Sequence, residues 1–271
     1  MNFDRKIVIE ARLKLVAWAL GGGLWCGIPA LAFAVGDANS GLLLAVRSSN
    51  TSAVRAELAR GADVNLPDPT GTTALMYSTY YGFARMEIVR ALLQSGANVN
   101  AQDKNGRTAL MFAAAGKGGP DSDKIVQSLL DKGAAPNMKT PEGHTALTEA
   151  IQPSLGQPRA EIVRALLAKG ADINTRVNGE ATLLMIAAKN GDVAIVKTLL
   201  DYGADVLAGD WMADAEGPAQ CTGPAEWTTN PEIAKMLSAK AAGGKPHCKP
   251  LPFKTRLHHM LSKNNSNESF S

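Results

Sequence analysis

The chain of 271 residues contains 45% hydrophobic and 20% charged residues and has a formal net charge of +3. This composition is typical of a globular protein and argues against a disordered chain. The net charge is too small to indicate nucleic-acid binding by itself. Because aromatic residues make up only 5% of the chain, we expect a core of aliphatic side chains, alanine and methionine.

The first 34 residues predict a cleaved secretory signal peptide. A basic start, residues 1–14, precedes the uncharged stretch LVAWALGGGLWCGIPALAFA. This stretch ends in an Ala-x-Ala pattern, which favours cleavage between Ala34 and Val35. We therefore expect an exported protein, periplasmic or secreted. The alternative is an uncleaved anchor in the inner membrane, because residues 16–35 are long enough to cross a bilayer.

The middle of the chain repeats one pattern. The tetrapeptide TALM stands at 73–76 and at 108–111, and TALT and TLLM follow at 145–148 and 182–185. Gly-Ala pairs recur every 33 to 37 residues, and the last four of them follow an apolar run of the form Ile-Val-x-x-Leu-Leu. The pairs begin at Gly61, Gly96, Gly133, Gly170 and Gly203. A period of this length indicates a protein built from stacked repeats.

Each repeat predicts two helices. The threonine that opens each tetrapeptide is expected at a helix start, where its hydroxyl can accept a hydrogen bond from an unpaired backbone N–H. These threonines are Thr73, Thr108, Thr145 and Thr182. In the second run, Ile, Val, Leu and Leu fall on one helical face. The glycine that follows is the expected end of that helix, because glycine adopts positive φ without a side-chain clash.

The repeat resembles the ankyrin repeat over residues 38–208. The Thr-Ala-Leu-Met motif, the Ile-Val-x-x-Leu-Leu helix and the Gly-Ala-x-x-Asn turn stand in the same register in several copies. Alanine replaces the family's usual proline at 74, 109 and 146, and methionine replaces its usual histidine at 76, 111 and 185. The resemblance implies an all-α ankyrin-repeat solenoid of about five to six helix-turn-helix repeats with β-hairpin-like turns. We expect the signal peptide at residues 1–34 and the repeats at 35–208.

Two further segments are expected beyond the repeats. The pattern decays after Asp205, and Asn230 then opens a last helix with Pro231 at its first position. Residues 209–242 therefore predict a degenerate capping repeat, with a worn helix from about Thr222, that covers the apolar end of the stack. Residues 243–271 predict a basic, largely disordered tail.

The two cysteines beyond the signal peptide, Cys221 and Cys248, are predicted to form a disulfide, because exported proteins favour one. Two free thiols remain an alternative. A zinc site with His247 and His258 is another, although the spacing fits no familiar zinc pattern. A metal- or redox-responsive protein is therefore a second functional hypothesis, while the main prediction includes no metal and no cofactor.

The sequence predicts a protein that is not an enzyme. His144 is the only histidine within the repeats, and it stands in a predicted hairpin tip with no nucleophile and base arranged around it. The glycine-rich segment AGKGGP, at 115–120, lacks the full spacing of a phosphate-binding loop.

The resemblance implies a protein–protein interaction module that binds through its concave face, built from the hairpin tips and the first helices. The candidate contact residues stand at those register positions, and Tyr, Trp and Arg among them are frequent in binding hot spots. They are Tyr80, Tyr81, Arg107, His144, Arg176, Lys189, Asn190 and Trp211. We expect a monomer with a protein partner of unknown identity, no nucleic acid, and a membrane contact only if the signal is uncleaved.

Overall fold

A computed structural model describes residues 40–80, 86–115, 121–152, 159–177, 181–212 and 220–248, with the backbone alone at 210–212 and 220. The predicted signal peptide with its cleavage site, Tyr81 and His258 lie outside these residues. Within the described ranges, no helix combines the length and the hydrophobicity that crossing a bilayer requires.

Five successive helix pairs fill most of the described chain. In chain order they are α1 (residues 40–47) and α2 (Thr51–Ala59), α3 (Ala74–Thr79) and α4 (Met86–Gln94), α5 (Ala109–Ala114) and α6 (Ser122–Asp131), α7 (Ala146–Ile151) and α8 (Ala160–Ala168), and α9 (Leu183–Asn190) and α10 (Val193–Asp201). We number these pairs units 1 to 5 and call the first helix of each pair the inner helix and the second the outer helix.

The units stack in two rows of helices. Each inner helix from α3 to α7 packs against the next inner helix, and each outer helix from α2 to α8 packs against the next outer helix. Within units 2 to 5 the inner helix also packs against its own outer helix. In a solenoid of this kind each unit contacts only its neighbours, so its stability comes from contacts within units and between adjacent units. The predicted all-α repeat solenoid is confirmed, and strands are a minor part of the fold.

Four inner helices begin at the predicted threonines. The hydroxyls of Thr73, Thr108, Thr145 and Thr182 each accept a hydrogen bond from the backbone N–H three residues later, over 3.2–3.3 Å. At Thr145 the contact is reciprocal, because its own N–H donates to the Thr148 hydroxyl at 2.8 Å. Capping of this kind contributes about 1 kcal/mol per helix, so a short six-residue helix starts at a defined position.

The outer helices end at the predicted glycines. After α6, Gly133 has φ of 85°, a left-handed conformation that a side chain would strain. Its N–H donates to the Leu130 carbonyl at 3.1 Å, and the N–H of Ala134 donates to Leu129 at 2.9 Å. These two bonds satisfy carbonyls that the helix end leaves open, and the chain then turns toward the next unit.

The core runs along the whole stack, between the two rows of helices. The leucine of each tetrapeptide, at 75, 110, 147 and 184, is about 1% exposed. Small residues such as Ala113, Ala114, Ala187 and Ala188 are also buried and let the helices approach closely. As predicted, aliphatic side chains, alanine and methionine make up this core.

Asparagine side chains connect neighbouring units on the surface. Asn65, Asn100 and Asn137 donate from their amide groups to the carbonyls of Gly96, Gly133 and Gly170 over 2.8–3.2 Å. Their amide oxygens accept from the backbone N–H groups of Asn98, Ala135 and Asp172 over 2.7–2.8 Å. The equivalent Asn174 is exposed, and its side chain makes no hydrogen bond to any residue in the described part of the chain. Among the described residues, this asparagine connection is therefore missing between units 4 and 5.

The C-terminal end of the stack combines a shortened unit with a small sheet. The 3-10 helix η1 (Pro224–Trp227) packs against α9, and α11 (Pro231–Ala241) packs against α10. Strand β3 (Ala208–Met212) pairs with the antiparallel β4 (Gln220–Thr222), and a separate hairpin joins β1 (Arg176–Val177) to β2 (Ala181–Thr182). Instead of the predicted worn helix from Thr222, the chain forms a strand and one 3-10 turn.

The predicted tail begins inside the folded region. Residues 243–248 belong to the described structure, and β5 (His247–Cys248) pairs in parallel with β3. The N–H of His247 donates to the Leu207 carbonyl at 2.8 Å, so this segment is part of the same sheet. The predicted boundary at 243 was therefore wrong for these residues, because strand pairing across the last unit holds them.

Candidate partner-binding face

Each inner helix carries one outward position that the stack does not bury. It lies four residues after the capping threonine and is occupied by Tyr77, Phe112, Glu149 and Ile186, all half-buried. In unit 1, the buried Leu42, Ala45 and Val46 match the buried residues of the later helices, which places Leu44 at the same position. Leu44 is 67% exposed. A second row, three residues further along each helix, holds Arg47, Tyr80, Ala115, Gln152 and Lys189. We call these two rows, with the hairpin tips beside them, the ladder face.

Units 2 and 3 carry aromatic rings covered by arginines. The Cζ atom of Arg47 lies 5.7 Å from the centre of the Tyr77 ring, and that of Arg107 lies 5.8 Å from the centre of the Phe112 ring. The rings of Tyr80 and Phe112 meet edge to face at 5.2 Å between centroids. Such contacts hold the side chains in one arrangement before any partner arrives.

Asp68 fixes the Tyr77 ring from the hairpin tip. The Tyr77 hydroxyl donates to its carboxylate at 2.7 Å, and the N–H groups of Thr70 and Thr72 donate to the other carboxylate oxygen at 2.8 and 3.0 Å. Burial alone raises the pKa of Asp68, but these bonds and that from the Thr70 hydroxyl outweigh burial and lower the pKa to about 2. The bond to Asp68 raises the pKa of Tyr77. Asp68 is therefore an ionised part of the tip at neutral pH.

Unit 4 presents a different, polar surface. The Nδ1 atom of His144 lies 3.5 Å from Glu149 Oε1, and the histidine side chain is 26% exposed. His144 Nδ1 also lies 3.4 Å from the Gln152 amide nitrogen. His144 therefore belongs to a polar cluster on the ladder face rather than standing fully in solvent.

A buried arginine, absent from the predicted residues, supports this cluster. Arg159 is 5% exposed, and its guanidinium donates to the carbonyls of Glu149 at 3.1 Å and Ala114 at 3.5 Å. It thereby binds the ends of α5 and α7 and joins units 3 and 4. Burial lowers the pKa of Arg159, while the charge of Glu149 opposes that change. Its sequence context, in the long joint of unit 4, contains no signal for such a role.

Unit 5 meets the shortened C-terminal unit at the other end of the face. The Nζ atom of Lys189 lies 5.7 Å from the centre of the Trp227 ring. Asn190 donates from its amide to the Ile151 carbonyl at 3.0 Å, and Arg176 donates to the Gly209 carbonyl at 3.2 Å. Asn190 and Arg176 therefore make contacts between units. Trp211 lies in β3 opposite Cys221.

The structure brings together some of the predicted contact residues and separates others. Tyr80 and Arg107 both contact Phe112, while His144 lies in the next unit and Lys189 at the far end. Leu44, Arg47, Tyr77, Phe112 and Trp227 were not predicted. Four of these lie on inner helices, and the repeat register contained the signal for Tyr77 and Phe112, which stand four residues after their capping threonines.

The two cysteines lie beside the last full unit. The Sγ atoms of Cys221 and Cys248 are 2.15 Å apart and the Cα atoms 5.8 Å apart, which places them at disulfide-bonding distance. The pair lies against Gly209, where an added Cβ would come within 3.0 Å of both sulfur atoms. Among the described residues, no three His, Cys, Asp or Glu side chains are grouped so as to hold a metal ion.

The fold and the ladder face define a class of protein: a helical solenoid whose units share one outward surface. The family model for ankyrin repeats, in three copies, matches residues 42–140 and 115–210. These matches cover more than half of the chain, so the protein belongs to the ankyrin-repeat family. No curated protein matches the chain. Ankyrin repeats generally mediate protein–protein interactions and are generally not enzymes.

Proposed function

We propose that this protein is a non-enzymatic binding module that takes a protein partner on its ladder face. The observation that carries the proposal is the exposure of Leu44, 67%, at the start of a row that continues with Tyr77 and Phe112. A leucine this exposed contributes nothing to the core, whereas a partner could bury it. Large aromatic side chains beside arginines are the usual centres of binding energy in protein interfaces.

The rigidity of the face supports the same proposal. Threonine caps fix the inner helices, and Asp68 and Arg107 hold two of the aromatic rings in place. Because these side chains are ordered in advance, docking costs little additional conformational entropy. The partner would therefore bind to a preformed surface rather than induce one.

A capture experiment with matched variants tests the proposal. The tagged protein is used to capture partners from its native compartment, in parallel with Leu44→Asp and Phe112→Ala. The control variants are Leu66→Asp and Tyr202→Ala, since these residues are 45% and 43% exposed away from the inner helices. We expect the ladder variants to lose the captured partner and the controls to keep it. Loss in the controls, or full capture by both ladder variants, would refute the proposal.

We also propose that the protein is exported and cleaved between Ala34 and Val35. The composition of residues 1–34 supports export, and a disulfide between Cys221 and Cys248 would persist in an oxidising compartment. The intact mass of the protein purified from its native host tests this, because cleavage predicts a chain that starts at Val35. A retained N-terminus would favour the alternative, a protein anchored to the inner membrane by residues 16–35.

A further inference from the structure

We propose that units 1 to 3 of the ladder face bind an extended segment of the partner that carries acidic and apolar residues, with side chains three residues apart contacting neighbouring units. This inference rests on the proposed function of the same face and specifies the chemistry of the partner. It follows from the charge of this surface, its exposed apolar side chains and the spacing of the inner helices.

Two arginines supply the charge. Arg47 and Arg107 are both exposed. Arg47 covers the ring of Tyr77 in the next unit, and Arg107 covers the ring of Phe112 in its own unit. Among the residues that the structure describes, neither guanidinium forms an ion pair with a carboxylate within 4 Å. Each therefore has N–H groups available for a carboxylate from another chain, which arginine binds with two parallel hydrogen bonds.

The acidic residues of the adjacent hairpin tips already accept hydrogen bonds from their own tip and helix. Asp68 accepts from Thr70, Thr72 and Tyr77. Asp103 accepts from the backbone N–H groups of Asn105 and Arg107 at 2.9 and 2.8 Å. Lys104 is exposed in the same tip and adds a third cation. Both carboxylates keep their charge, and the three cations Arg47, Lys104 and Arg107 exceed them by one positive charge on this surface.

Unit 4 marks the end of this positive surface. Glu142 in its tip is exposed and close enough to Arg107 for the arginine charge to contribute to lowering the pKa of Glu142, although the main cause is a hydrogen bond from Thr140. Glu149 adds a second carboxylate beside His144. An acidic segment is therefore attracted to units 1 to 3 and repelled beyond them, which defines where it binds.

Apolar side chains lie beside the arginines. Leu44 is the most exposed, and the half-buried Tyr77, Tyr80 and Phe112 continue the row. A segment with carboxylates alone would leave this surface in contact with water. Apolar residues next to the carboxylates would cover it and remove it from water.

The spacing of the inner helices sets the spacing of the contacting side chains in the partner. Tyr77 and Phe112 hold equivalent positions on neighbouring inner helices, and packed helices lie about 8–10 Å apart. A polyproline II segment repeats its side-chain direction every three residues, or about 9 Å. Side chains three residues apart in such a segment would therefore contact Tyr77 and Phe112 at once.

A peptide-display selection tests this inference. Random twelve-residue peptides displayed on phage are selected on the full chain purified from its native host, then measured as synthetic peptides. We expect both acidic and apolar residues to be enriched. Binding should fall about tenfold or more in the double variant Arg47→Glu and Arg107→Glu, because like charges then face each other. The control is Arg55→Glu with Arg90→Glu, which makes the same change of net charge on exposed arginines of the outer helices.

The outcomes separate this inference from the proposed function. Peptides without carboxylates that lose binding in Phe112→Ala would overturn the inference while the binding face stands. Peptides that bind Leu44→Asp and Phe112→Ala as well as the wild type would overturn both. Binding to phosphatidylglycerol vesicles through the same two arginines, with no acidic peptides enriched, would assign the charge to a lipid surface and overturn the inference.

Discussion

Replacing Asn100 with alanine should weaken the joint between units 2 and 3. Its amide donates to the Gly133 carbonyl at 3.1 Å, and its amide oxygen accepts from the Ala135 N–H at 2.8 Å. Both bonds connect backbone groups of one unit to a side chain of the preceding unit. The substitution removes both and adds no bulk.

The size of the effect follows from these two bonds. A hydrogen bond within a protein contributes about 0.5–1.5 kcal/mol net. Because both bonds lie at the surface, where water can replace the lost partner, we expect a destabilisation in the lower half of the range, about 1–2 kcal/mol. For a chain of this size the melting temperature should fall by roughly 2–8 °C.

Asn174 provides a matched control within the same chain. It holds the equivalent position one unit before the C-terminal end, yet its side chain makes no hydrogen bond to the described residues. We expect Asn174→Ala to change the free energy of unfolding by less than about 0.5 kcal/mol. Both variants are measured by urea unfolding followed by far-ultraviolet circular dichroism. Equal destabilisation by the two substitutions would refute the reasoning.

Three further predictions concern the tip, the core and the end of the stack. The pKa of Asp68 is lowered to about 2, so its ionised carboxylate stabilises the fold at pH values above the unfolded-state pKa of about 3.9. The urea midpoint should therefore fall as the pH is lowered from 4 to 2. Asp68→Asn should reduce that fall, whereas an unchanged fall would assign it to other groups. Leu110→Ala should cost about 2–5 kcal/mol in urea unfolding because Leu110 is 1% exposed, while Leu44→Ala should leave the midpoint unchanged. Cys221→Ser with Cys248→Ser should remove about 3–4 kcal/mol on the chain-entropy model and make the last unit sensitive to limited proteolysis; a cleavage pattern identical to the wild type would contradict this.

The repeat architecture could be predicted because its signals are local. The capping threonines act on N–H groups three residues away, and the glycines act on their own backbone conformation. Both effects depend on short stretches of chain, and the structure contains both where the sequence placed them.

The C-terminal end was predicted less well because its contacts are long-range. Strand β5 pairs with β3 across about forty residues of chain. Such pairing depends on the tertiary structure rather than on the local sequence of either strand. One turn of 3-10 helix at Pro224–Trp227 replaces a full inner helix. Neither feature has a periodic pattern that a sequence would reveal.

The side-chain arrangement on the proposed binding face could be predicted in part. The register of the repeats located Tyr80 and Arg107 beside Phe112, although Phe112 itself was missed. Asn190 and Arg176 stand at outward register positions, but their side chains donate to carbonyls of other units. Bonds to residues 33 and 39 positions away depend on how the units stack, so the identity of the side chain alone could not reveal them.

Site-specific photo-crosslinking tests the central claim most directly. A photoreactive amino acid is placed at position 44 or 112 on the ladder face, or at position 202 at the end of α10, and the protein is irradiated in its native compartment. The account predicts that one partner is crosslinked from positions 44 and 112 and not from position 202. A partner crosslinked from position 202 alone would show that binding occurs on another surface and would contradict the account.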